Sequence, residues 1–303
     1  KTIHYHFAEK HKEYIRKCRE CSYNVAEGAV RAGKTVDNVF AFAHELKTAP
    51  DRIHLATGST TANAKMNIGD CNGMGLEWIF RGQSHWGKYK NNEALFIKGP
   101  ATCNKQKIVI FAGGAKADSY KKIRGNSYGM WIATEINLHH DNTIKEAFNR
   151  QLAAKRLKVF WDLNPDNPRA AIYVDYIDRY QKQQEEGEFP GGYNYMHCTI
   201  YDNINITPER LHEIESRYDI NSIWYMRDIK GMRVVANGLI YRRFADDIST
   251  KKFSFALEEK PKDLMEIDLG IDFGGSGSGH SFTATAITRG YQKVIALASE
   301  WIN

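Results

Sequence analysis

No window of this chain approaches the eighteen or so apolar residues that a membrane-spanning helix needs, so the sequence reads as one without a membrane span. The start also lacks the charged, apolar and small-residue regions of a secretory signal. It opens on Lys1 rather than Met, as a chain with a trimmed start would. Cysteine is scarce: five in 303 residues, at positions 18, 21, 71, 103 and 198. An odd, scattered set makes no disulfide framework and fits reduced thiols in a cytoplasm. Cys18-x-x-Cys21 has no second pair at zinc-finger spacing and reads as one face of a helix. Strong net charge is missing too. The 42 Lys and Arg against 36 Asp and Glu leave +6, compatible with a polyanionic partner without requiring one. Composition is otherwise that of a globular chain, long enough for two domains and a sizeable core.

The most informative stretch is Gly28-Ala29-Val30-Arg31-Ala32-Gly33-Lys34-Thr35, which fits the pattern G-x-x-x-x-G-K-[ST] in full. Glycines let a backbone curl so that successive N–H groups point at phosphate oxygens. A lysine in that place reaches the β- and γ-phosphates, and a threonine hydroxyl ligates Mg2+. The context agrees. Residues 22–27 read as a strand entering the loop. Residues 35–46 read as a helix leaving it, with Val36, Val39, Phe40 and Ala43 at helical spacing and its N-terminus toward the phosphates. Arg31 lies within the loop, either as a stabiliser of charge on the γ-phosphate or as an ordinary exposed arginine. Upstream, Phe7, His11, Tyr14 and Arg16 supply aromatics and charge; an aromatic here either stacks on a nucleotide base or belongs to a helix covering the sheet edge.

Further strands are read at 52–57, 107–111, 128–135, 157–163 and 195–200, with a hairpin over 86–98. Helices are read at 139–154 and 170–185, and one starts at Thr207 with Pro208 in its first position. Strands alternating with helices give an α/β fold around a mostly parallel sheet, with its site at the strands' carboxyl ends. The strand Trp131-Ile132-Ala133-Thr134-Glu135 ends in a carboxylate. A phosphate-loop enzyme usually closes such a strand with an aspartate that holds Mg2+ through water, followed by a glutamate that orients the attacking water. Here Thr134 takes the aspartate's place, and Glu135 stands where the base belongs. Asn164-Pro165 follows the next core strand; the asparagine reads as a γ-phosphate sensor or as a plain turn. Residues 222–244 read as a helix and connector with exposed arginines. A lysine-rich bridge over 250–263 marks the domain boundary. Beyond it, three strands joined by short turns, the first carrying Asp272, look like the opening of an RNase H-like nuclease. There, carboxylates from distant strands hold two divalent metals. Asp268 and Glu300 are further, weaker candidates.

The order of the phosphate loop, Ser119 to Arg124-Gly125, Trp131 to Glu135, Asn164-Pro165, Asp202-Asn203, Gly238 to Tyr241 and Gly270-Ile271-Asp272-Phe273-Gly274 resembles the large terminase subunit of tailed bacteriophages. The nearest group is that of phages and prophages of Gram-positive bacteria, and the resemblance covers nearly the whole chain. It implies an ATPase motor domain over 1–205, a helical and linker region over 206–262, and the start of a metal-dependent nuclease over 263–303. The remaining acids of that nuclease would lie past Asn303. It implies Mg2+ and ATP held by Lys34 and Thr35, Glu135 as the catalytic glutamate, Arg31 as an in-loop arginine, Asn164 as a coupling residue and Asp272 as the first nuclease carboxylate, with two divalent metals when the nuclease is complete. It also implies double-stranded DNA, the small terminase subunit and the portal of a procapsid as partners, a ring when assembled, and the cytoplasm of a bacterial host. Two other readings stay open: a different DNA translocase or helicase, and a nucleotide-regulated DNA-binding protein with slow hydrolysis.

Overall fold

The computed structural model describes residues 5–235, 263–273, 279–291 and 294–302. The 238–241 stretch, the lysine bridge over 250–262 and Gly274 lie outside them. The chain divides into two compact units, Lys1–Asn237 and Gly238–Asn303.

The strands of the first unit are β1 (Tyr23–Gly28), β2 (Ile53–Gly58), β3 (Ser84–Tyr89), β4 (Asn92–Ile97), β5 (Lys107–Gly113), β6 (Met130–Ala133), β7 (Lys158–Leu163) and β8 (Tyr193–Cys198). They form one sheet in the order β3-β4-β5-β2-β6-β7-β1-β8. From β5 to β8 every pairing is parallel; β3 and β4 add an antiparallel hairpin at the β5 edge. The parallel strands read as apolar runs because both faces are covered. Ala26, Val109, Ile132 and Phe160 enter the core on one face, and Val25, Leu55, Trp131 and Trp161 enter it on the other.

The helices are α1 (Glu9–Lys17), α2 (Lys34–Thr48), α3 (Thr61–Ala64), α4 (Leu76–Ile79), α5 (Asp141–Gln151), α6 (Asp178–Glu185), α7 (Pro208–Glu215) and α8 (Ile223–Asp228). Helix α2 lays Val39, Phe42 and Leu46 on the first face, and α5 lays Ile144 and Ala147 on the second. The segment read as one helix over 170–185 opens instead as a π-type turn, Ile172–Ile177, before α6. Helix α1 stops at Lys17, so Cys18 and Cys21 sit on the turn that leaves it rather than on a helix face. His11 and Tyr14 are buried against α2: His11 Nδ1 lies 2.5 Å from Asp37 Oδ2, and Tyr14 donates to Asn38 at 2.7 Å.

The connector after α8 does not carry only exposed arginines. Arg233 reaches back to the end of β1, where its guanidinium donates to both oxygens of Glu27 at 2.8–3.1 Å. Glu27 is fully buried and also accepts from the Tyr173 and Tyr195 hydroxyls, each at 2.7 Å. A carboxylate in that position needs a counter-charge, and the planar fork of arginine supplies one with two-point geometry.

The second unit is a three-stranded antiparallel sheet, β9 (Leu264–Asp272), β10 (His280–Thr288) and β11 (Val294–Ile302), with β10 in the middle.

Arg233→Ala strands the Glu27 carboxylate with only two phenols, and urea unfolding should register a loss of about 3 kcal/mol, only partly recovered in Arg233→Lys. His54 is buried, accepts the Met130 N–H at Nδ1 and lies 3.1 Å from the Asp51 carbonyl at Nε2. Burial, with Lys107 nearby, pulls its pKa down to about 3. The unfolded chain therefore binds a proton that the fold refuses from about pH 6.5 downward. Stability should fall with pH through that window, and the slope should flatten in His54→Gln.

Candidate nucleotide site

At the end of β1 the backbone turns away at Gly28, with φ of +152°. A Cβ there would stand 1.9 Å from the Cys198 carbonyl oxygen of neighbouring β8, so no other residue fits. The next N–H, that of Ala29, donates to that same carbonyl at 2.8 Å and fixes the start of the loop. Gly33 closes the loop at φ +101° as the N-cap of α2; a Cβ on it would meet the Tyr5 hydroxyl at 2.6 Å. Arg31 holds a left-handed conformation at φ +59° and is exposed, and its carbonyl accepts from Asn203 at 2.7 Å.

Lys34 is the first residue of α2, and only 6% of it is exposed. Its ammonium donates to the carbonyls of Gly28 and Ala29 at 3.0 and 2.6 Å and to Asn164 Oδ1 at 3.1 Å. Burial lowers its pKa, and the Asp162 charge opposes the shift. The loop lysine and the asparagine after β7 thus touch directly.

The rest comes from β7, which lies beside β1, and from β6 beyond it. The register of β6 on β7 pairs Met130 with Lys158 and Ala133 with Trp161. One position further, Thr134 stands level with Asp162. The Thr134 hydroxyl donates to Asp162 Oδ1 at 3.1 Å, and so does the Glu135 backbone N–H, also at 3.1 Å. Oδ2 of Asp162 is buried without a hydrogen-bond partner. Burial pushes this carboxyl's pKa up, against the pull of the Glu135 N–H, Lys34, Thr134 and Thr35. Glu135 leaves the strand in a left-handed conformation, φ +53°, which redirects its side chain at the strand end.

These residues line one cleft of about 430 Å3. Lys34, Thr35, Thr134, Glu135, Asp162 and Asn164 make its polar side, Arg31 and Asn203 lie at the loop, and Tyr5, Val36, Met66 and Met74 make an apolar side. The cleft therefore brings together Arg31, Lys34, Thr35, Glu135 and Asn164 from the sequence expectations. It does not use Phe7, His11 or Tyr14: Phe7 packs edge-on between Tyr5 and Phe40, and the other two are core. Cys71 also lines the cleft, but burial raises its pKa to about 12, so it stands as a neutral thiol. Sequence reasoning missed Tyr5 and Asp162. An aspartate inside the apolar run Val159-Phe160-Trp161-Asp162-Leu163 is a charge a core strand does not carry idly, and it was the available signal.

Asp272 ends β9 in the second unit. Asp272 faces Ser281 across the ladder, while Glu300 faces Phe282. Alternation therefore sends Asp272 and Glu300 to opposite faces of the sheet, and Glu300 is not a partner for it. Asp268, an even number of residues away, shares the face of Asp272. Among the described residues no three His, Cys, Asp or Glu side chains converge to hold a metal ion by themselves.

Comparison with curated protein sequences finds no match. The family profile described as "Terminase large subunit, T4likevirus-type, N-terminal" matches residues 25–246. Among solved structures, the large terminase of a thermophilic bacteriophage aligns with a TM-score of 0.65 at 17% identity, over 98% of this chain and 69% of that one. The same terminase in complex with ATP-gamma-S aligns at 0.63 and 18% identity, over 96% and 68%. The large terminase ATPase domain of Thermus phage P74-26 aligns at 0.50 and 15% identity, over 71% and 89%. At such identities these structures speak for the fold alone: an α/β domain on a mostly parallel sheet. The profile covers well over half of the sequence, and on that ground the chain belongs to the large terminase family.

Proposed function

We propose that the first unit is an ATP-hydrolysing motor that drives double-stranded viral DNA into a procapsid. The observation that carries this reading is the shared cleft at the strands' carboxyl ends, lined by both Lys34 and Glu135. Lys34 exchanges its carbonyl partners for the β- and γ-phosphates, and the loop N–H groups and the α2 N-terminus take the remaining phosphate oxygens. Glu135 orients the attacking water and accepts its proton. Arg31, exposed at the loop, neutralises charge at the γ-phosphate. Tyr5, Met66 and Met74 offer the apolar wall on which a base rests. The donors around Thr35 are hydroxyl and carboxylate oxygens with no thiolate, which fits a hard cation. Thr35 would hold the Mg2+, which when bound neutralises the β- and γ-phosphate oxygens.

Asn164 couples hydrolysis to movement. Its side chain is tied to Lys34. When phosphate claims the ammonium, Asn164 is released, and the turn after β7 with it. DNA is gripped mainly through its phosphates, without regard to sequence. Beyond this chain, the reading calls for the small terminase subunit, the portal of a procapsid, a ring of subunits and the cytoplasm of a bacterial host. Asp272 serves as the first carboxylate of a two-metal nuclease in a complete nuclease domain.

Lys34→Ala should abolish phosphate release from ATP. Glu135→Ala should reduce turnover by roughly 100-fold or more while still binding ATP, since a lost base slows chemistry rather than association. Normal turnover in Glu135→Ala contradicts the role given to it. Double-stranded DNA should stimulate hydrolysis without being unwound, and the stimulation should weaken steeply with salt. Strand separation would favour a helicase, and indifference to DNA a nucleotide-regulated binding protein.

A further inference from the structure

The acid missing at position 134 has a counterpart one strand away. The sheet order β6-β7-β1 sets Asp162 between Thr134 and the strand that feeds the phosphate loop, and the register sets it level with Thr134. Residues level with each other on parallel strands share a face, about 4.8 Å apart. Asp162 therefore presents its carboxylate on the α2 side of the sheet, one strand nearer to Lys34 and Thr35 than position 134. Asp162 is 3% exposed and is among the residues that line the cleft. Its two oxygens are unequal. Oδ1 is held by the Thr134 hydroxyl and the Glu135 N–H, which fixes the plane of the group. Oδ2 is buried and has no hydrogen-bond partner. An ionisable oxygen oriented from one side and left open on the other is rare inside a protein and asks for a ligand.

We propose that Asp162 supplies the carboxylate that anchors nucleotide-bound Mg2+ beside Thr35, through a metal-bound water, in place of the acid absent at Thr134. The inference rests on the nucleotide-binding reading of the cleft. Thr134 then serves as a positioning residue: its hydroxyl, with the Glu135 N–H, aims the Asp162 carboxylate. The same Asp162 Oδ1 ties the metal-binding acid to the backbone of Glu135, so the two duties usually carried by adjacent residues of one strand are divided between β6 and β7.

The test is binding of ATP-gamma-S by calorimetry on the full chain, in Mg2+ and in EDTA, alongside Mn2+ binding followed by electron paramagnetic resonance. Asp162→Asn keeps the shape and the Oδ1 acceptor but turns the open oxygen into a donor. It should lose roughly 10–100-fold of the metal-dependent affinity and leave binding in EDTA unchanged. Thr134→Asp combined with Asp162→Asn returns the acid to the neighbouring strand and should recover much of the metal increment, which a merely structural role for Asp162 would not allow. A full metal increment in Asp162→Asn overturns the proposal, as does a loss that the double variant leaves unrepaired. A wild-type chain that binds no nucleotide in either buffer overturns the nucleotide reading and this inference with it. Should Asp162→Asn fail to fold, Fe2+ with ascorbate and peroxide, in place of Mg2+ on the wild-type nucleotide complex, should cut the backbone beside Thr35 and beside Asp162. Cutting at the loop alone overturns the assignment.

Discussion

A buried ammonium is the constraint around which the carboxyl end of the sheet is arranged. Lys34 is removed from water, so its charge must be met by something other than solvent. Two loop carbonyls and the Asn164 side chain meet it directly, and the Asp162 carboxylate opposes the cost from further off. The partners come from two places in the chain, the loop after β1 and the end of β7 with the turn that follows, and they meet because β1 and β7 run parallel and in register. The arrangement is also exchangeable. Phosphate oxygens are stronger partners for an ammonium than neutral carbonyls are, so under the proposed function a triphosphate would displace these contacts.

How far the sequence revealed this depends on how local each signal is. The loop is a contiguous pattern: Gly28 and Gly33 are required by backbone geometry at fixed spacing, and Lys34 and Thr35 follow them directly. The strand entering it and the helix leaving it are both marked by local patterns, a short strand-like run and apolar residues at helical spacing. Glu135 was legible as the last residue of such a run. Asp162 was not, because its meaning depends on the pairing of β6 with β7, which no single strand records. Tyr5 reaches the cleft by the path of the chain before α1, and a lone aromatic near the start carries no such information. Arg233 looked like surface charge because its partner, Glu27, stands 206 residues earlier. The candidacy of Glu300 failed for the same reason in reverse: residue type suggested a ligand, and register sent it to the other face.

The Glu27 cluster adds a second consequence of the sheet's order. Glu27 immediately precedes the loop, and it is bonded by Tyr173 from the segment after β7, Tyr195 from β8 and Arg233 from beyond α8. The residue that leads into the loop is thereby tied to three elements that follow it in sequence. Asn203, which holds the Arg31 carbonyl, adds a fourth tie to the loop itself. On the proposed reading, movement of the loop would be felt at each of these points.

The most direct measurement is a structure of the chain with ATP-gamma-S and Mg2+ bound. The γ-phosphate should lie within hydrogen-bonding distance of Lys34 Nζ, with Asn164 released from that ammonium and a water between the phosphorus and the Glu135 carboxylate. A triphosphate lodged outside the cleft, or a Glu135 carboxylate turned away from the γ-phosphate, would contradict the motor reading.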